Sequence, residues 1–90
     1  MKIILVVNIT VKGRSHALMR KEKITNILPL PGIKIMDLAW KNPKLPTDVS
    51  CDLDDESYYL KFKSENFNSN KEGDECILMY ESHGWERPRQ

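Results

Sequence analysis

The sequence has few of the residues from which cofactor and catalytic motifs are built. It contains four glycines and no Gly-rich phosphate-binding loop, no Cys and His spacing typical of zinc sites, and no serine placed as in a nucleophile elbow. Its leading apolar run is far shorter than the roughly 18 residues that a membrane-spanning helix needs. We therefore expect no catalytic residue, no cofactor, no metal and no contact with a membrane.

Cysteine is also scarce. Cys51 and Cys76 each lie in an apolar, alternating run, which predicts two buried free thiols. A disulfide between them is the alternative, and it would require an oxidising compartment. Because no small-residue cleavage site follows the leading apolar run, we expect no signal peptide and a cytoplasmic location.

The composition is that of an ordinary folded chain. With 40% apolar and 30% charged residues, the 90 residues are too apolar for a disordered protein. This length predicts one small domain over residues 1–90. Within it we expect a flexible loop at residues 64–74, which are rich in Asn, and a short C-terminal tail at residues 86–90.

The first segment, residues 2–11, is β-branched and nearly uncharged, which predicts a strand buried on both faces. Gly13 follows in a turn. Residues 16–28 are ambiguous: good helix formers follow Ser15, a possible N-cap, but cations interrupt the apolar stripe. A strand paired with the first strand is slightly favoured.

The later segments alternate between apolar and polar residues. This pattern predicts a strand at residues 33–40, a hairpin at 48–63 with its turn at 54–57, and a last strand at 75–82. The fold class that follows is mainly β, a small antiparallel sheet of five to six strands curled into a roll or barrel. The alternative is an α+β domain with one helix at about residues 16–28.

Charge is distributed unevenly along the chain. Residues 1–45 carry nine Lys and Arg against two acidic residues, whereas residues 46–90 carry five against eleven. The densest basic cluster lies around His16, and clustered cations attract phosphates, so it is a candidate nucleic-acid-binding site. Its members are Lys12, Arg14, Arg20, Lys21 and Lys23. As strand residues, Arg14, His16 and Arg20 would share one face.

The acidic half offers a different site. Its candidate protein-binding residues are Asp52, Asp54, Asp55 and Glu56. The spacing fails as a calcium loop, because Ser57 stands where glycine is required and Lys63 where glutamate is required. A solvated acidic turn that binds a basic partner is the remaining functional interpretation.

One group near the C-terminus suggests catalysis. Glu81 and His83 lie two residues apart and would share a face of the predicted last strand, with Arg87 nearby. Together they offer a general base, a general acid and a phosphate-binding group, which a small ribonuclease would need. Gly84 weakens this hypothesis, since it ends the strand at His83.

The strand and turn layout of residues 28–35 (LPLPGIKI) and 49–54 (VSCDLD) resembles small β domains of phage and bacterial proteins. The resemblance implies no site residues. The function we expect is a non-enzymatic binding module, a regulatory or inhibitory protein of phage or mobile-element origin that binds a host protein. The alternatives are an RNA- or DNA-binding module using residues 12–23 and a small ribonuclease. A homodimer paired through a sheet edge is also open.

Overall fold

The computed structural model describes residues 1–27 and 32–88. These residues form one sheet and one helix. The elements are β1 (Lys2–Val11), β2 (Arg14–Ile24), β3 (Asp48–Asp52), β4 (Ser57–Lys61), β5 (Glu65–Phe67) and α1 (Asn70–Glu81).

The five strands form an open, mixed sheet in the order β2-β1-β4-β3. β1 is antiparallel to β2 but parallel to β4 and β5, and β5 continues the line of β4 along the far end of β1. The predominance of strand is confirmed. The sheet is not closed, because β2 and β3 remain at its two edges, and a single helix makes the domain α+β.

β1 is the central strand, as its β-branched sequence predicts. Alternate residues Ile3, Leu5, Val7 and Ile9 enter the core, and Ile4 on the opposite face is fully buried too. The other residues of that face are only half-buried, so the prediction that the strand is buried on both faces is wrong except at Ile4. The remaining elements are arranged around this strand.

Residues 14–24 form strand β2, so the helix expected as an alternative at 16–28 is wrong where the structure describes it. The turn before β2 places Lys12 and Gly13 at positive φ, 53° and 77°. A bulge beside Ile9 and Thr10 then inserts an extra residue into β2. The bulge turns His16 toward the helix.

The strand predicted at residues 75–82 is wrong, because these residues belong to α1. Residues 64–74, predicted to be a loop, contain β5 and the first turn of α1. The Ser69 side chain caps the helix by accepting a hydrogen bond from the backbone N–H of Glu72 at 3.2 Å. The buried residues of α1 have spacing typical of a helical face: Gly73, Cys76, Ile77 and Tyr80.

The strand predicted at residues 33–40 is also wrong. In this segment only Ile35 pairs with another part of the chain, exchanging backbone hydrogen bonds with Lys44 at 2.8 Å. Both sides of β1 are already occupied by other strands, so the segment has no central strand to join. It instead loops over the core face of the sheet and inserts Trp40.

Aromatic rings fill the space between the sheet and the helix. Trp40 packs edge-on against Phe62, and Tyr80 packs edge-on against Trp85, with ring centroids 4.8 and 4.9 Å apart. Burial of Trp85 holds the C-terminal segment against β2, where Glu86 and Arg20 exchange backbone hydrogen bonds. Residues 89 and 90 of the predicted tail lie outside the described residues.

Candidate functional site

The predicted acidic residues lie at one edge of the sheet. β3 pairs with β4 alone, and all five of its residues are exposed. Cys51 lies here, so the expectation that it is buried is wrong; the thiol is free and exposed. The turn that follows β3 carries the acidic cluster. We call β3 together with this turn the acidic edge, residues 48–56.

The turn of the acidic edge is held by its own side chains. The Asp52 carboxylate accepts hydrogen bonds from the backbone N–H groups of Asp54 and Asp55, at 3.0 and 3.2 Å. Glu56 adopts a left-handed conformation, with φ of 51°. Lys2 contacts Asp55 at 3.6 Å. The charges of Asp54 and Glu56 have no ion-pair partner among residues 1–27 and 32–88.

The predicted basic cluster does not form one patch. Lys21 turns to the core side of β2 and binds Asp37, with its Nζ atom 2.7 Å from Oδ1. Met19 and Lys21 both face the core side, so strand alternation places Arg20 on the opposite face. His16, turned toward α1 by the bulge, therefore does not share a face with Arg20 as expected. Lys12 and Arg14 are exposed at the hairpin tip, and Lys23 is exposed on the core side of β2.

Asp37 is the centre of a buried polar network. Its carboxylate accepts hydrogen bonds from Lys21, from the Trp85 indole at 2.9 Å and from the Ala39 backbone N–H at 3.0 Å. Burial by itself raises the pKa of Asp37, but these hydrogen bonds and the Lys21 charge outweigh it and hold the pKa below its usual range. Lys21 also donates to the His83 carbonyl at 2.9 Å. The network joins β2, the loop formed by residues 33–40 and the C-terminal segment.

The proposed ribonuclease residues are only partly brought together. Glu81 and Arg87 line an open groove of about 1130 Å³ between β2 and the end of α1, together with His16. His83 is not among the residues that line this groove; its Nδ1 atom is 2.8 Å from the Met79 carbonyl at the end of α1. The ribonuclease hypothesis stays a prediction, with His16 as the imidazole that reaches the groove.

His16 was not predicted to have a carboxylate partner. Its Nε2 atom lies 2.7 Å from the carboxylate of Asp74, in the first turns of α1. Gly73 allows this contact, since an added Cβ would be 3.0 Å from the His16 ring. The sequence signal that could have found it is Ser69 followed three residues later by Glu72, a capping box that predicts a helix beginning there.

A second polar cluster lies inside the core. Tyr80 accepts a hydrogen bond from the Trp40 indole at 2.8 Å and donates one to Glu65. Burial and the nearby Glu65 carboxylate raise the pKa of the Cys76 thiol to about 12. The same two causes raise the pKa of the Tyr80 hydroxyl above its usual value. Cys76 is buried and free, as predicted, and burial disfavours its thiolate form.

An apolar groove lies between the sheet and the loop that follows β2. It encloses about 520 Å³ over Ile3, Leu5 and Leu60. Its rim carries exposed apolar side chains, among them Ile27 and Ile33, which flank residues 28–31, outside the described part of the chain. The groove is a feature of the fold to which we assign no role.

The sheet surface opposite α1 is uncovered by other described elements. We call it the open face; its central row is formed by the β1 residues Lys2, Ile4, Val6, Asn8 and Thr10. α1, Trp40 and Trp85 all pack on the other side, with Val7 and Ile9. The flanking strands contribute Leu18, Arg20, Tyr59 and Lys61. Tyr58 is the partner of Ile3 on the core side, so strand alternation places the adjacent Tyr59 on the open face.

Within residues 1–27 and 32–88, no group of three or more His, Cys, Asp or Glu side chains is arranged to hold a metal ion. The same residues contain no helix of the length and apolarity needed to cross a bilayer. Compared with known proteins, the chain matches no family model, no curated protein and no solved structure.

Proposed function

We propose that this protein is a non-enzymatic binding module that takes up an extended, basic segment of a partner protein along its acidic edge. The observation that carries the proposal is that β3 is an edge strand whose five residues are all exposed. The partner class we propose is a host or regulatory protein, in the cytoplasm, with the module acting as a regulator or inhibitor of phage or mobile-element origin.

Strand addition is the physical basis of the proposal. An edge strand presents unpaired backbone N–H and C=O groups, and an extended peptide can pair with them. Main-chain hydrogen bonds supply affinity without sequence preference, so side-chain charges must supply specificity. Asp48 and Asp52 at the ends of β3, followed by Asp54 and Glu56, favour a partner strand with Lys or Arg.

The proposal predicts binding of a soluble peptide of alternating Lys and Val residues, measured by calorimetry at low salt. Replacing Asp48→Lys together with Asp54→Lys should weaken binding by about tenfold or more, because attraction becomes repulsion at both ends of the edge. Neither carboxylate accepts a side-chain hydrogen bond from residues 1–27 or 32–88, so the fold should survive. Retained affinity in this double variant contradicts the proposal.

Two controls separate strand addition from nonspecific attraction. Glu75→Lys with Glu81→Lys makes the same change in net charge on exposed positions of α1, and it should leave binding nearly unchanged. A peptide methylated on alternate backbone nitrogens keeps its charge but loses main-chain donors, so it should not bind. Equal binding of the methylated peptide would show that the contact is electrostatic alone.

Nucleic-acid binding is the second candidate function. It is favoured by the exposure of Lys12 and Arg14 and by Arg20, which forms no ion pair with the described residues. Lys21 contributes least to such a site, since Asp37 already neutralises it. The residues of the predicted basic cluster that remain available are divided among the hairpin tip, the open face and, for Lys23, the core side of β2.

A further inference from the structure

The open face carries a compact group of cations. Val6 has Arg20 as its partner on β2 and Lys61 as its partner on β4. With adjacent strands about 4.8 Å apart, these two cations lie roughly 10 Å from one another across β1. Neither forms an ion pair with residues 1–27 or 32–88, so both charges are available to an anionic ligand.

Hydrogen-bond donors surround these cations. The Asn8 side-chain oxygen accepts a hydrogen bond from Ser15 at 2.8 Å, and that of Asn66 accepts one from Thr10. Each amide therefore keeps its NH₂ group as a donor, with no acceptor among the described residues. A surface that offers mainly donors is complementary to phosphate oxygens and to base carbonyls.

Tyr59 provides an aromatic surface beside the cations. Its strand partner on the open face is Ile4, which has 0% exposed surface although no other described element packs on this face. The cross-strand neighbours of Ile4 on the face are Tyr59 on one side and Glu22, paired with Lys2 at 3.1 Å, on the other. Tyr59 is half-buried, so part of its side chain is exposed on this face.

Carboxylates lie at the other end of the open face and on both sides of the cationic area. Glu22 and Asp52 are level with Ile4 and Lys2, whereas the end beyond Val6 carries Asn8, Leu18 and Thr10. Asp48, the β3 partner of Lys61, bounds the cationic area on one side, and Glu86, which pairs with Arg20 at the outer edge of β2, bounds it on the other. An anionic polymer would therefore run along β1 from Tyr59 toward the hairpin tip, where Lys12 and Arg14 are exposed.

We propose that the open face binds single-stranded nucleic acid, with the Tyr59 ring stacking on a base and with Arg20 and Lys61 contacting phosphates. Stacking on an aromatic ring tolerates any base, and phosphate contacts carry no sequence information. Binding is therefore nonspecific in sequence, prefers single strands over duplexes, and weakens with salt. This surface borders the acidic edge at Asp48 and Asp52, but substitutions at Arg20, Lys61 and Tyr59 leave the acidic edge unchanged, so the two proposals are tested independently.

The test is fluorescence anisotropy with a labelled 12-nucleotide oligo-uridylate and the matching oligo-thymidylate, at salt concentrations from about 20 to 200 mM. Arg20→Ala with Lys61→Ala should lower affinity by at least about tenfold and reduce the salt slope by about 1.4, since each lost contact to a single strand contributes about 0.7. Tyr59→Ala should lower affinity by about 5-fold to 100-fold, and Tyr59→Phe should keep it.

The matched control is Lys23→Ala with Lys34→Ala, which removes two exposed cations that lie off the open face. It should retain affinity within about twofold. The two oligonucleotides distinguish RNA from DNA, and binding to either supports the proposal. No binding at low salt, equal losses in the control, or preference for a duplex overturns it. If Tyr59→Ala does not fold, Lys61→Glu at an exposed position decides the outcome in its place.

Discussion

At the scale of single residues, Asp37 shows how one carboxylate joins three parts of the chain. It lies in the segment 33–40 that was predicted to be a strand, and its side chain is almost completely buried and binds Lys21 and Trp85. Sequence periodicity assigns a residue to a face but not to a partner. Trp85 lies 48 positions from Asp37 along the chain, so the contact between them depends on the complete fold.

We predict that Asp37→Asn lowers the free energy of unfolding at pH 7 by about 3 kcal/mol, because it leaves the Lys21 charge without its counter-ion. The folded-state pKa of Asp37 is depressed, so its contribution is present above the unfolded value of about 3.9 and is lost as pH falls through the folded-state pKa. The difference in the free energy of unfolding between the variant and the wild type should therefore become smaller in acid.

Urea unfolding monitored by tryptophan fluorescence at pH 7 and below pH 3 measures both effects. Asp54→Asn is the control, since this exposed carboxylate makes no ion pair with the described residues, and it should change stability little. Equal stability of Asp37→Asn and wild type at pH 7 would show that the buried ion pair contributes nothing.

At the scale of elements, local pattern predicted β1 and the β3–β4 hairpin, favoured β2 only slightly over a helix, and led to the wrong assignment for α1. Residues 76, 78 and 80 alternate as in a strand, and residues 73, 76, 77 and 80 repeat as in a helix. Gly73 lowers helix propensity, which favoured the wrong assignment. The Ser69 and Glu72 capping box was the stronger local signal, and tertiary packing of the helical face decides the outcome.

Gly73 is required by the packing of α1. An added Cβ would lie 2.6 Å from the Val11 Cγ2 atom, closer than any normal contact. Alanine is favoured over glycine by about 1 kcal/mol in an open helix, but here overpacking costs about 1–3 kcal/mol. We expect Gly73→Ala to lower the melting temperature.

A double-mutant cycle with Val11→Ala checks the cause of this effect. Removing the Val11 methyl groups should recover part of the loss from Gly73→Ala, because the two side chains would otherwise overlap. Glu75→Ala on the exposed side of α1 is the matched helical control and should be nearly neutral. If the losses of stability from the two substitutions are additive, the strain in Gly73→Ala does not come from its contact with Val11.

At the scale of the whole molecule, folding only partly separates the two charge halves. Lys2 of the first half contacts Asp55 of the second, so the halves neutralise each other at this point. The acidic edge still lies at the opposite side of the sheet from β2, three strand spacings or about 14 Å away. A charge-guided partner thus has one coherent acidic surface and a smaller cationic area on the open face.

The acidic edge also bears on self-association. In a symmetric antiparallel pairing of two β3 strands, Asp48 of one copy faces Asp52 of the other, and like charges directly opposite are unfavourable. We therefore predict a monomer at neutral pH and low salt, measured by light scattering over a range of concentrations. Asp48→Asn with Asp52→Asn, which keeps the acceptor for the turn, should promote a dimer. A wild-type dimer at low concentration would contradict this prediction.

The sequence by itself determined the central strand, the β3–β4 hairpin and the uneven charge, since each depends on residues close together in the chain; it left residues 16–28 open between strand and helix. Only the tertiary structure decided that residues 33–40 form a loop, that Lys21 is neutralised by Asp37, and that Arg20 and Lys61 flank Val6 on an open face. These outcomes depend on which strands occupy the sides of β1. The choice of the strands that pair with β1 is a property of the assembled sheet, and no local sequence pattern encodes it.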